Sequence, residues 1–486
     1  MSDFDTVIHD GTVVTAHETV RADIGIRGGV IAAIAGRISG GARRIDAGGR
    51  LVMPGGIEGH CHIAQESSTG IMTADDYYSG SVSAAFGGNS CFIPFAAQHR
   101  GQTIADVVAT YDGRAAANSV LDYSYHLIIS DPSPAVLEEL PGVFARGITS
   151  FKVFMTYDLM NIGDGGMLDI LTVAKRHGAL TMVHAENNDM VKWMNRRFVA
   201  AGMEEPKYHA LSRPELAEEE AINRAVSLAK LVDAALFVVH VSTRGGAEIV
   251  RREKLAGTRL FAETCPQYLA FTRDDLNRPG MEGAKYICSP PLRDHATQDA
   301  LWQHIRTGTF ESVSSDHAPY RADASGKFVN GDDAPYPKIA NGMPGIAMRL
   351  PWLFSEGVGK ARITLPEFVR LSSANAARVF GLERKGAILP GYDADIAIWN
   401  PEERRRVTLA DQHDNMDYTP FEGMDVTGWP ELVMNNGRVV VEKGVLKARP
   451  GEGRFIARKP VDTGAMPGHR AVEFDIAAAY GREIAP

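Results

Sequence analysis

The stretch Pro54-Gly55-Gly56-Ile57-Glu58-Gly59-His60-Cys61-His62 decides how the rest of the chain is read. Apolar from Leu51 to Ile57, it predicts a short buried strand that runs into two histidines two residues apart. Side chains alternate along a strand, so His60 and His62 face the same way. Paired imidazoles at a strand end suit a metal ion, but a packed, hydrogen-bonded pair is the plainer alternative. The choice rests on whether other strands bring ligands to the same place.

Working outward, apolar runs rich in β-branched and aromatic residues begin near Gly56, Cys91, Ser124, Ser150, Thr181, Leu236, Leu260 and Val313. Helical periodicity fills the gaps and predicts helices over 74–86 (with Thr73 as N-cap), 104–117, 168–176, 215–232, 247–255, 297–307 and 366–380. Eight buried strands alternating with helices predict an α/β fold, a parallel sheet closed as a (β/α)8 barrel. Short alternating runs with Gly-rich turns before Leu51 return late in the chain, as at Tyr392–Trp399 and around Asn436-Gly437. The simplest account is a small β-sandwich built from both chain ends. The expected domains are therefore 1–54 with 385–450 for the sandwich, 55–384 for the barrel and 451–486 for a C-terminal arm. That arm is expected to pack on a neighbouring subunit or to stay loose.

A chain of 486 residues with 44% hydrophobic and 23% charged content buries a large core. A net charge of −9 supplies no basic stripe for nucleic acid. No apolar run approaches the roughly 18 residues of a membrane span, and residues 1–10 do not resemble a signal peptide. Cys61, Cys91, Cys265 and Cys288 show no CxxC spacing and read as reduced residues of a cytoplasmic protein.

Further ligand-type residues stand at the ends of later strands. Strand four carries Lys152 inside an apolar run, strands five and six end in His184 and His240, and strand eight ends in Asp316. In a barrel these ends ring one face. Singly, each has a bland reading, a satisfied core histidine or an N-capping aspartate. Together they point to a metal centre. Lys152 is costly to bury charged. Neutral, its amine can take up carbon dioxide to form a carbamate whose two oxygens bridge two metal ions. Pairing with a carboxylate such as Asp316, or Schiff-base chemistry, are the alternatives.

Several motifs together resemble the dihydropyrimidinase/hydantoinase family of the amidohydrolase superfamily. They are Gly55–His62, Ser150-Phe151-Lys152-Val153-Phe154-Met155-Thr156-Tyr157, Val183-His184-Ala185-Glu186-Asn187, Val239-His240-Val241-Ser242-Thr243 and Ala262-Glu263-Thr264-Cys265-Pro266-Gln267-Tyr268. Cys288-Ser289-Pro290-Pro291-Leu292-Arg293, Ser315-Asp316-His317-Ala318-Pro319 and Asn341-Gly342-Met343-Pro344-Gly345 complete the set. The resemblance implies a metal-dependent hydrolase that opens a cyclic amide or ureide (hydantoin, dihydropyrimidine or cyclic imide) through a metal-bridging hydroxide. It implies two divalent ions, zinc first and manganese as the alternative, and a homotetramer, with a dimer as the alternative. Carried over to this chain, one ion takes His60, His62, carboxylated Lys152 and Asp316, and the other carboxylated Lys152, His184 and His240. Asp316 then moves the proton, Tyr157 supports the oxyanion, and Ser289 and Asn341 bind the ring amide through backbone groups. An allantoinase-like enzyme for another ring, or a non-catalytic scaffold of the same fold, are the alternatives, and the full ligand set speaks against the scaffold. Glu58 stands where the family has aspartate, and Ala64 where relatives that bind a carboxylated ring have arginine. Phe154, Ile63 and Met160 are expected to form an apolar wall for the ring substituent.

Overall fold

A computed structural model describes residues 3–464 and 466–469. The deciding stretch proves to be two strands. Leu51–Pro54 runs antiparallel to Ile396–Arg406 in a seven-stranded sheet, whereas Gly56–Cys61 opens a parallel sheet beside Asn89–Ala97. The handover falls at Gly55, where a Cβ would sit 2.3 Å from the Ser90 hydroxyl, so only glycine passes between the layers.

From Gly56 the sheet runs through Asn89–Ala97, a third position split into Asp122–Tyr123 and His126–Ile128, and then Ser150–Phe154, Leu180–His184, Leu236–Val238, Leu260–Thr264 and Ser312–Val313. The Cys61–His317 bridge, with the His62 amide donating to the His317 carbonyl at 2.7 Å, returns strand eight to strand one and closes the (β/α)8 barrel. These strands are buried on both faces, which explains their unbroken apolar runs. Ile57, Ile93, Phe95, Met182, Phe237, Phe261 and Phe380 fill the interior.

The sandwich pairs the seven-stranded sheet, drawn from both chain ends, with a four-stranded sheet from the N-terminal segment, over a core that includes Ile8, Val13, Ile24, Val52, Ile396 and Met434. Among the expected helices, 215–232 matches Glu215–Val232. The first begins later, at Tyr77, because Asp76 and not Thr73 makes the reciprocal capping box with Ser79. Pro134–Ala145 and Asn188–Ala200 were absent from the sequence reading; Pro134 sits at the first helical turn and Asn187 caps the second.

The described part of the arm lies beneath its own barrel. Amides of Ile456, Arg458, Val461 and Gly468 donate to the carbonyls of Tyr123, Gly147, Gly178 and Gly257, just ahead of His126–Ile128, Ser150–Phe154, Leu180–His184 and Leu260–Thr264. The described portion is therefore not loose, and residues 470–486 lie outside the described residues. Among the described residues no helix is long and apolar enough to cross a membrane.

Candidate metal centre

The six expected ligands arrive on one rim. His60 lies in Gly56–Cys61 with His62 just beyond it, Lys152 within Ser150–Phe154, and His184 at the end of Leu180–His184. His240 and Asp316 follow Leu236–Val238 and Ser312–Val313 by two and three residues. The backbone is strained where the chain leaves the strands: His240, Asp316 and Tyr157 hold φ of 41°, 46° and 65°. Left-handed conformations at residues with a Cβ cost roughly 1–3 kcal/mol each and cluster at functional sites.

Asp316 Oδ1 lies 3.0 Å from His60 Nε2 and 3.3 Å from His62 Nε2. Lys152 Nζ is 2.9 Å from His60 Nε2, and His240 Nε2 is 2.9 Å from His184 Nδ1. Donor atoms of His60, His240 and Asp316 all fall within 4.8 Å of one another. Lys152 therefore does not take Asp316 as a salt-bridge partner; the carboxylate serves the histidines. Its ammonium nitrogen instead stands 4.1 Å and 5.1 Å from the ring centroids of Phe95 and Phe154.

Burial sets the protonation states. It lowers His62 to about 4, pushes His240 well below the usual imidazole range and lowers His184. It also pulls Lys152 down to about 8. Burial works against ionised Asp316 too, but the neighbouring His60 and His62 hold its carboxyl well below the ordinary range. His60 is the exception: burial opposes its charge, yet Asp316 and Glu263 raise it overall. Neutral imidazoles at His62, His184 and His240, an ionised carboxylate and an amine that loses its proton readily make a donor set that suits divalent cations. Among the described residues the buried Nδ1 of His240 has no hydrogen-bond partner.

Behind these ligands stands a layer that orients them, which the sequence reading did not assign. Glu263 bonds His60 Nδ1, Gln65 lies 2.7 Å from His62 Nδ1, and Glu186 lies 2.7 Å from His184 Nε2. Each contact occupies one ring nitrogen and turns the other toward the centre. Glu186 is paired in turn with Arg213 at 2.7 Å, whose guanidinium lies 5.6 Å from the Tyr157 ring centroid. Glu58 receives the amides of His60 at 2.9 Å and Ser315 at 3.2 Å, and pairs with the fully buried Arg349 at 3.0 Å. The longer side chain thus latches strand one to strand eight. Glutamates at strand ends within buried runs were the available signal for Glu58 and Glu263, whereas Arg213 and Arg349 lie on distant segments with no local cue.

Beside the centre, Asn341 Nδ2 lies 3.4 Å from the Tyr157 hydroxyl, and among the described residues no hydrogen bond reaches the buried Asn341 Oδ1. Phe154, Met160 and Tyr157 pack in one cluster. Ile63 does not join them: it is fully buried in the outer core, against the helix at Gly80, where an added Cβ would meet its Cδ1 at 2.5 Å. The expected apolar wall therefore loses Ile63. A second grouping, Asp75, His317 and Asp414, lies nearby. There His317 Nδ1 accepts the amides of Gly345 and Ile346, so Nε2 carries the proton and donates to Asp75 at 2.8 Å. That arrangement is a structural bond between loops.

Residues 51–440 match the amidohydrolase family model. The chain is 43% identical to the D-hydantoinase of Ralstonia pickettii over 457 residues, covering 94% of this chain and 99% of that relative. It is 41% identical to the D-hydantoinase of Rhizobium radiobacter, with the same coverages. The crystal structure of dihydropyrimidinase from Brevibacillus agri superposes with a TM-score of 0.91 at 39% identity, over 94% of this chain and 99% of that one.

Proposed function

The chain belongs to the amidohydrolase family, and from that premise we propose how its rim opens a ring. It is a metal-dependent hydrolase of cyclic amides, of the hydantoinase–dihydropyrimidinase kind. The observation that carries this reading is the convergence of His60, His62, Lys152, His184, His240 and Asp316 with protonation states suited to cations.

Two divalent ions, zinc or else manganese, fit this donor set. His60, His62, Asp316 and Lys152 as its carbamate would hold one, and the carbamate, His184 and His240 the other. When bound, the ions supply Lewis-acid charge that polarises the carbonyl and makes a water more acidic. The Lys152 amine, neutral above about pH 8, adds to carbon dioxide and releases a proton to give the carbamate. Asp316 takes a proton from the water whose oxygen bonds to the ring carbonyl carbon. As the C–N bond breaks, Asp316 returns that proton to the departing nitrogen. The Tyr157 hydroxyl donates to the developing oxyanion, and backbone groups of Ser289 and Asn341 hold the ring amide. With a hydantoin the product is an N-carbamoyl amino acid. Because Ala64 offers no cation, a ring carrying a carboxylate would desolvate its charge unpaired. The buried, unpaired cysteines accord with a cytoplasmic setting, and exposed Trp193, Leu211 and Leu216 offer apolar surface for a homotetramer.

Enzyme purified with zinc and bicarbonate is expected to open hydantoin, dihydrouracil or a cyclic imide, and to leave dihydroorotate intact. Failure on all of the first three, with metal bound, overturns this substrate class.

A further inference from the structure

Lys327 belongs to none of the machinery described so far, yet it is fully buried. Among the described residues it has no carboxylate partner. Its Nζ donates instead to two backbone carbonyls, Ile287 at 3.1 Å and Ala340 at 2.9 Å. Those carbonyls belong to separate segments of the chain. Ile287 stands two residues before Ser289 and Ala340 one residue before Asn341. A direct backbone bond, Gly342 amide to Ile287 carbonyl at 3.0 Å, joins the same two segments. Among the described residues no other hydrogen bond reaches the Ala340 carbonyl.

The approach of Lys327 is itself fixed. Its amide donates to the Arg321 carbonyl at 2.8 Å, and the amides of Gly326 and Phe328 donate to the Asp323 carbonyl. Gly326 permits this turn, since a Cβ there would meet the Arg321 amide and carbonyl at 2.6 Å and 2.4 Å. Burying a cation with only neutral acceptors is expensive, and burial accordingly pulls the Lys327 pKa down to about 7. A neutral amine has two N–H groups for two carbonyls, so either protonation state can hold both segments.

We infer that Lys327 is a positioning residue for the substrate amide: it ties the segments bearing Ser289 and Asn341 together and so fixes the spacing of the groups that receive the ring. This rests on the ring-binding role proposed above for those two residues. Interactions that hold a substrate equally in ground and transition states change KM more than kcat. Lys327→Met is therefore expected to raise KM for the ring opened by wild type by about tenfold or more. Metal content should be unchanged and kcat within about threefold. Lys327→Gln, which keeps an amide donor, should fall between wild type and Lys327→Met.

Unchanged KM in Lys327→Met overturns the inference. So does a loss of metal together with a fall in kcat, which marks a purely structural lysine. If Lys327→Met does not fold, Lys327→Gln carries the same comparison. A metal-loaded wild type inactive on every ring overturns the proposed function and this inference with it; an active wild type with an indifferent Lys327 overturns this inference alone.

Discussion

Lys152 and Lys385 are both buried lysines, and their surroundings give them opposite chemistry. Lys385 lies at the seam between barrel and sandwich, 2.9 Å from Asp122, 3.3 Å from Asp393 and 2.6 Å from Asp395. Burial opposes its charge, but the carboxylates of Asp395 and Asp122 outweigh burial and hold the ammonium protonated. Lys152 lies at the candidate metal-binding rim among imidazoles and aromatic faces, where the nearby carboxylate is engaged by His60 and His62. There burial wins and the pKa falls to about 8. A buried lysine is thus a structural ion where carboxylates converge on its nitrogen and a reactive amine where they are diverted.

The strongest test of that contrast is Lys152→Ala. Metal should be lost and activity should fall by about 10³-fold or more, with partial recovery on adding a small carboxylate. A mutant that kept both metal and rate would break the comparison at its functional end. Lys385→Met should do the reverse. Removing the cation leaves three carboxylates without their shared partner and should cost about 3–5 kcal/mol in denaturant unfolding, while the folded fraction keeps its metal and kcat. Loss of metal in that mutant would show the seam and the rim to be coupled.

The smallest effect is in pH. At fixed dissolved carbon dioxide, the initial rate of carbamate-dependent metal uptake by stripped enzyme should rise with the neutral fraction of Lys152, by up to about tenfold per pH unit, and level off above about pH 8. The folded pKa lies below the unfolded value, so the unfolded state binds the extra proton. Metal-free protein therefore gains stability from Lys152 as pH rises from about 8 towards about 10.4. Lys385 has the opposite shift. Its contribution is fully present below the unfolded lysine value and is lost only as pH climbs through its raised folded pKa, so it adds no slope over the same window. Urea unfolding of stripped wild type, Lys152→Met and Lys385→Met across that range checks both signs.

Much of the candidate site was legible because the proposed ligands occupy strand ends, and strands announce themselves locally. His60, His62, Lys152, His184, His240 and Asp316 could be placed on one rim from apolar runs and their terminal residues. The layer behind them was not legible in the same way. Arg213 reaches Glu186, Arg349 reaches Glu58 across the strand-one and strand-eight junction, and Lys327 reaches two carbonyls on remote segments. The break at Gly55 was hidden as well, since Leu51–Pro54 and Gly56–Cys61 read as one apolar run though they belong to different sheets.

From the sequence alone follow the alternation of strands and helices, the pairing of chain ends in a sandwich and the gathering of ligand-type residues on one rim, because periodicity and side-chain type are properties of neighbours along the chain. Only the tertiary structure decided that Asp316 would serve the histidines and not Lys152, that Ile63 would face the outer core, and that the arm would run beneath its own barrel. Those outcomes depend on which distant groups meet once the barrel closes, and a buried charge or side chain takes its state from whatever packs against it.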